Sequence, residues 1–214
     1  MRSHMSTSSF SDLLEEDFRW PAIGDRLFSA EQPAYGAFLS RHPEERLYHL
    51  TGGYKLAADL LVEQAEAQAW RRRKLVYPIV FCYRHYLELT LKSVLQQYGP
   101  LGDLTSSWTH HRLEDLWRDY RKLLGAVGGE TSKDRGTGAV EQCVAEFAKI
   151  DSTSDAFRYP TRRRGQPFST ELEMLDLISL RDTMQGIENY FLAVEGFLDS
   201  LTEVGSLIPE VDGP

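Results

Sequence analysis

A run of polar residues in the middle of the chain has the composition of a reactive or anion-binding surface. The sequence predicts a helix over residues 72–98, and at about 100° per residue five of its polar side chains fall within an arc of about 120°, opposite the apolar stripe. These are Arg84, His85, Glu88, Lys92 and Gln96. Histidine and glutamate can transfer protons, and arginine and lysine can hold an anion. The alternative is a solvated helix face with ion pairs four residues apart.

Two further segments carry side chains of the same kinds. His110-His111-Arg112 precede a predicted helix, and Phe157-Arg158-Tyr159-Pro160 lie in a predicted loop. A guanidinium group binds phosphate through forked donors, and a tyrosine ring can stack on a base. The candidate catalytic residues are therefore Arg84, His85, Glu88 and His111, and the candidate ligand-binding residues are Tyr83, Lys92, Arg158 and Tyr159.

Each of these features also has a purely structural interpretation. His85 can be a half-buried histidine that a neighbour satisfies, and His110-His111 can simply begin a helix. The segment 157–160 can be an ordered loop that caps a helical bundle. Sequence distance does not decide whether the three segments meet in space.

Several kinds of site are not predicted. The chain has no His-Glu-x-x-His motif and no Gly-Lys-Ser/Thr ending to its glycine-rich stretch, so neither a metal centre nor a phosphate-binding P-loop is expected. No cofactor is predicted. The two cysteines, Cys82 and Cys143, lie within helical patterns, where they are expected to be small core residues.

The elements that must position these residues are helices. Apolar residues recur every three or four positions and predict helices over about 43–69, 72–98, 111–124 and 139–150. A capping box of Thr170 and Glu173 predicts a last, long helix, whose stripe suits a bundle core or a dimer seam. Residues 125–138 are predicted to be a glycine-rich loop and residues 151–168 a second loop. The fold class is therefore an all-α bundle of long antiparallel helices.

The domain organisation follows from length and composition. A chain of 214 residues, 42% of them hydrophobic, suits one domain. Residues 1–5 are interpreted as a vector remnant, so His4 is not considered as a functional residue. Residues 6–42 are predicted to wrap the core, anchored by Phe18, Trp20 and Phe28. Residues 43–204 are predicted to form the bundle, and residues 205–214 are predicted to be a flexible tail.

Charge and hydropathy limit the partners. The net charge of -8 argues against a surface dedicated to nucleic acid, although residues 71–74 and 162–164 gather seven positive charges in two runs. No apolar run is long enough for a membrane span, and no secretory signal is present, so a cytoplasmic protein that does not bind membranes is expected.

The quoted segments together resemble a HEPN-like family of bacterial helical proteins. The residues that carry the resemblance are Tyr83-Arg84-His85-Tyr86-Leu87-Glu88-Leu89 with Lys92, then His111 before Leu113 and Trp117, then Phe157-Arg158-Tyr159-Pro160, and the likeness covers about residues 45–200. The resemblance implies a helical bundle that commonly dimerises, and many members of the superfamily are metal-independent ribonucleases of toxin, antiphage or RNA-processing systems. Those ribonucleases carry an arginine followed by a histidine at four to six residues' separation, and no such pair occurs here.

Two functions are therefore expected as alternatives. The first is an RNA-directed effector, a possible metal-independent endoribonuclease of a toxin, antiphage-defence or stress system. The second is a non-catalytic sensor or antitoxin-like module that binds a nucleotide or nucleic acid as a homodimer. A cognate partner protein is a further possibility under either function. A third hypothesis is purely structural: the last helix mediates dimerisation, and the charged face of the helix over 72–98 only keeps the protein soluble.

Overall fold

The computed structural model describes residues 20–28, 36–105, 108–109, 111–129, 135–161, 165–168 and 172–207, with side chains up to residue 203. Its helices are α1 (Pro43–Ala67), α2 (Arg72–Tyr98), α3 (Leu113–Ala126), α4 (Arg135–Ile150) and α5 (Leu177–Leu207), with single 3-10 turns at Ala69–Arg71 and Gly99–Gly102. These described ranges contain no strand; one isolated bridge pairs Thr161 with Pro167. The protein is therefore all-α, as predicted. No helix in the described ranges has both the length and the hydropathy of a membrane span.

The chain divides into two compact units, residues 1–39 and residues 40–214. In the first unit, the backbone N–H of Asp25 donates to the carbonyl of Ala22, and the Asp25 carboxylate accepts from the N–H of Ala22, which closes a turn. Of the three predicted anchors, Phe18 lies outside the described residues, whereas Trp20 and Phe28 are exposed and not buried as expected. The wrapping of the core by residues 6–42 stays a prediction. All the helices above belong to the second unit.

Helix α2 is the centre of the bundle and packs against α1, α3 and α5. Residues that come later in α1 contact residues that come earlier in α2. The contacts are Ala65 with Arg72, Asp59 with Tyr83, and Tyr54 with His85. The two helices are therefore antiparallel. The predicted apolar stripe of α2 is buried along its whole length: Val80, Tyr83, Leu87, Leu91, Val94 and Tyr98. Burial of a large apolar side chain stabilises the fold by about 1.5–3 kcal/mol, so this stripe is a main source of stability.

Helices α3 and α5 match their predicted patterns. The buried residues of α3 include Leu113, Leu116, Trp117, Tyr120 and Leu124, and those of α5 include Met184, Ile187, Phe191 and Leu198. Tyr120 and Tyr190 join the two helices through their hydroxyls, which lie 2.8 Å apart. Alternating spacing of three and four residues therefore identified the correct face of both helices.

Four sequence-based expectations on the helices were wrong. The apolar spacing of α1 predicts a buried stripe of Leu47, Leu50, Tyr54, Ala57, Leu61 and Ala65. Leu47 and Ala65 are buried, but Leu50 is exposed and Lys55, Ala58 and Val62 are buried beside the stripe, where Lys55 pairs with Asp59 and Glu188. Helix α4 begins at Arg135, within the predicted glycine-rich loop. Helix α5 begins after Asp176, whose carboxylate accepts the N–H groups of Ile178 and Ser179, so the predicted capping box does not start it; Thr170 lies outside the described residues. Its last turn also enters the predicted tail, as far as Leu207.

Candidate functional site

The polar face of α2 is buried beneath two other segments of the chain. The exposed fraction is 0% for Arg84, 1% for Glu88 and 2% for Lys92. Gln96, one turn further along the helix, is exposed. Charged groups are found at such depth when they are paired and hydrogen-bonded. The expectation of an open groove on this face, and its alternative of a solvated face, are therefore both wrong for these three residues.

Arg84 joins α2 to two other parts of the chain, at His111 and at Asp151. Its Nη1 donates to Glu88 Oε2 at 3.0 Å, its Nη2 to the carbonyl of His111 at 2.9 Å, and its Nε to the carbonyl of Asp151 at 3.1 Å. A guanidinium group can reach all three acceptors at once because its donors form a fixed planar fork. Arg84 therefore joins α2 to the His111 segment and to Asp151 at the end of α4. The segment 157–160 meets α2 at a different place, where Arg158 lies over the ring of Phe81.

Glu88 lies at the centre of this network. Its Oε1 accepts from Lys92 Nζ at 2.9 Å and lies 2.8 Å from Nδ1 of His111. Burial raises the pKa of Glu88, but the hydrogen bonds from His111 and Lys92, with the charges of Lys92 and Arg84, outweigh burial and leave that pKa below its usual value. Glu88 is therefore a carboxylate, and a strong acceptor for the ring of His111.

His111 is the solvent-facing member of the network. Its side chain is 62% exposed although Nδ1 is directed at the buried Glu88. With Nδ1–H donating to that carboxylate, the neutral ring carries its lone pair on Nε2, at the other side of the imidazole. The structure thus presents a carboxylate-oriented histidine, an arrangement that supports proton transfer.

Asp151, which the sequence analysis missed, anchors the segment that carries Arg158. It follows α4 directly, is 2% exposed, and its Oδ1 accepts the N–H groups of Asp155 and Ala156 at 2.8 and 3.1 Å. Its Oδ2 has no hydrogen-bond partner among the described residues and lies 3.7 Å from Arg84 Nε. The acidic residue at the end of a predicted helix was the available signal.

His85 faces α1 and stays neutral. Its ring stacks on Phe81, with centroids 5.6 Å apart, and meets Tyr54 edge-on at 4.4 Å. Burial lowers the pKa of His85, and the positive charges of Arg84, Lys92 and Arg158 lower it further, while Glu88 opposes them. This environment matches the structural alternative for His85, a half-buried histidine held by its neighbours.

The remaining predicted residues divide between two places. Tyr83 is fully buried and donates to Asp59 Oδ1 at 2.6 Å on the α1 side, away from the acceptors of Arg84. Arg158 is partly exposed, pairs with Asp155 at 2.8 Å, and lies over the rings of Phe81 and Tyr159. Tyr159 is exposed. Tyr83 therefore belongs to the core, and Arg158 and Tyr159 belong to the surface.

Trp108 is a second residue that sequence reasoning did not select. Its carbonyl accepts from Lys92 Nζ at 3.4 Å, and the same ammonium lies 5.6 Å from the centre of its partly exposed ring. Lys92 thereby positions an aromatic side chain near His111. No residue type or spacing marked Trp108, since its position depends on the loop conformation.

The network contains no evident metal site. Among the described residues, no group of three or more His, Cys, Asp or Glu side chains is placed to hold an ion. His110 and residues 162–164, the second basic run, lie outside the described residues.

Comparison with known proteins did not identify a family. No family model, curated protein or solved structure matches this chain. The resemblance to HEPN-like proteins, with the homodimer and the cognate partner it implies, therefore stays a prediction.

Proposed function

We propose that this protein is an RNA-directed effector in which His111 acts as the general base of a metal-independent cleavage. The observation that carries the proposal is the 2.8 Å contact between Nδ1 of the exposed His111 and the buried Glu88 carboxylate. A carboxylate in this position fixes the tautomer and orientation of the imidazole, which general-base catalysis requires.

The proposed reaction balances without a further reagent. Nε2 of His111 takes the proton of a ribose 2′-hydroxyl, whose oxygen attacks the adjacent phosphorus. The bond from phosphorus to the 5′-oxygen breaks, water supplies a proton to the leaving oxygen while His111 releases its proton to solvent, and a 2′,3′-cyclic phosphate remains. Arg158 is the exposed cation assigned to the phosphate, while the buried Arg84 and Lys92 act as positioning residues.

The second candidate function is binding of RNA or a nucleotide without cleavage. The specific observation in its favour is that Arg84 and Lys92 are buried and already bonded to Glu88 and to backbone carbonyls. They cannot contact the charge that develops on a phosphorane. A toxin, antitoxin-like or antiphage role is part of both candidates and derives from the resemblance alone.

The experiment is incubation of total RNA and defined tRNAs with the protein in the presence of EDTA, with cleavage and binding measured together. His111→Ala is the test variant, and His49→Ala is a matched control because His49 is equally exposed, at 62%, and lies 3.7 Å from a glutamate. We expect cleavage that His111→Ala abolishes and His49→Ala retains.

The other outcomes are equally decisive. RNA binding without fragments from any variant would support the non-catalytic candidate and overturn the ribonuclease. Absence of both binding and cleavage would overturn both candidates. The variant Glu88→Gln tests whether Glu88 orients His111. If it does, the pH profile of the remaining activity should shift; if Glu88 only stabilises the fold, that pH profile should be unchanged.

A further inference from the structure

A cleft of about 830 Å³ opens on another part of the second unit, between α2, α4, α5 and the segment that precedes α5. Its volume lies in the range of sites that bury a small organic ligand. Its walls are mainly apolar, with Val76 and Val80 from α2, Ile150 from α4, and Leu180 and Ile187 from α5. His111 and the buried network of Arg84, Glu88 and Lys92 do not line it, whereas Arg158 and Tyr159 do.

Aromatic rings and open apolar side chains distinguish this cleft from a packing gap. The rings that line it are Tyr77, Phe147, Phe157, Tyr159 and Phe168. Met174, at its edge, is 89% exposed, and Leu172 and Leu175 are exposed beside it. Contiguous exposed apolar surface of this kind marks a place where something binds.

Among the described residues, the charges that line the cleft are mostly negative. They are the carboxylates of Glu146, Glu173 and Asp176 against one guanidinium group, that of Arg158. Arg158 is already paired with Asp155 at 2.8 Å, and Asp176 is occupied by the first N–H groups of α5. Among the described residues, Glu146 accepts a hydrogen bond from Gln142, a neutral donor that leaves the charge of Glu146 in place. The cleft is therefore better suited to a cation than to an anion.

We propose that this cleft binds an organic ammonium cation with an apolar body. The apolar part lies against α2, α4 and α5, the positive group lies among the aromatic rings of the cleft, and Glu146 and Glu173 add electrostatic attraction. Aromatic rings attract an ammonium ion placed over their faces, most strongly when the ion is partly desolvated. The proposal is independent of the proposed function because it is argued from the cleft itself, and its test changes neither His111 nor Arg158.

The probes are decyltrimethylammonium and decanoate, both below their micelle concentrations, titrated into the full chain by calorimetry at low salt. We expect the cation to bind at least about five-fold more tightly than the anion. The double variant Glu146→Gln/Glu173→Gln is expected to weaken binding of the cation about three- to ten-fold, since each partly exposed carboxylate contributes modestly.

A blocking variant separates the cleft from non-specific association with a detergent-like molecule. Thr183 lines the cleft but is itself exposed, so Thr183→Trp can fill the site without disturbing the core. Leu192→Trp, on an exposed position of the same helix outside the cleft, is the matched control. We expect Thr183→Trp to abolish binding and Leu192→Trp to retain it, with both variants checked for helicity by circular dichroism. Equal affinity for decanoate, or binding that survives Thr183→Trp, would overturn the proposal.

Discussion

Replacement of Arg84 by methionine is expected to cost about 3–5 kcal/mol of the free energy of unfolding. The side chain is fully buried and makes three hydrogen bonds, at 2.9, 3.0 and 3.1 Å. Methionine fills similar volume but leaves the buried Asp151 without the cation 3.7 Å from it, and Glu88 with Lys92 and His111 only. Removal of one partner of a buried ion pair typically has a cost of this size, because a charge stays behind without compensation.

Arg84→Lys separates charge from geometry. Lysine keeps the positive charge but has a single nitrogen, so we expect it to lose about two of the three hydrogen bonds, or about 2–3 kcal/mol. Because domains are stable by only about 5–15 kcal/mol, both changes are large enough for urea titration to measure.

Hydrogen exchange provides the more specific assay. Arg84 holds the carbonyls of His111 and Asp151, so its loss should increase exchange in residues 111–112 and 155–156 more than in α5. A uniform increase would indicate general destabilisation.

The matched control is Arg118→Met. Arg118 forms an ion pair with Asp115 at 2.6 Å, but its side chain is 61% exposed, so we expect a change within about 1 kcal/mol. If Arg84→Met also stayed within about 1 kcal/mol of the wild type, the argument that Arg84 organises the network would be refuted.

Three further predictions concern individual groups. The pKa of Glu88 in the folded protein lies below its usual value, so the charged carboxylate stabilises the fold at pH values above the pKa of the unfolded chain. This contribution disappears as the pH falls through the folded-state pKa. The difference in unfolding free energy between wild type and Glu88→Gln should therefore become smaller in urea titrations at acid pH. The pKa of His85 is lowered from 6.5, so the unfolded chain binds that proton first and stability should fall with pH below about 6.5; an NMR titration of His85 with a midpoint at or above 6.5 would contradict this. Tyr83→Phe loses the hydrogen bond to Asp59 and should cost about 1–2 kcal/mol in urea titrations, while RNA binding stays at the wild-type level; weaker binding would return Tyr83 to the ligand site.

The helices themselves were predictable because the evidence for them is local. The periodic spacing of apolar residues predicted α2 with its observed bounds, and the buried stripes of α3 and α5 lay where the spacing placed them. The errors arose where a tertiary contact competed with a local pattern. Lys55, a polar residue in a pattern of apolar ones, turns inward because Asp59 and Glu188 pair with it there, and that rotates the buried face of α1.

The candidate site was predictable only as a set of residue types. Arginine, glutamate, lysine and histidine at these positions indicated a polar cluster, and Arg84, Glu88, Lys92 and His111 do form one. Tyr83 is not part of it, since the α2 stripe to which it belongs faces α1. No sequence motif identified Asp151 or Trp108 as members of the cluster, because the conformation of a loop places each of them there.

The sequence by itself determined the fold class, the extent of most helices and the apolar faces of α2, α3 and α5, since a periodic arrangement of side chains along one helix specifies which face avoids water. Only the tertiary structure decided that much of the opposite face of α2 is buried, that Arg84 and Lys92 are bonded within the protein, and that His111 is left open to solvent. The physical reason is that burial of a charge depends on partners from distant segments, and the backbone carbonyls of His111 and Asp151, which complete the bonding of Arg84, have no signature in the sequence.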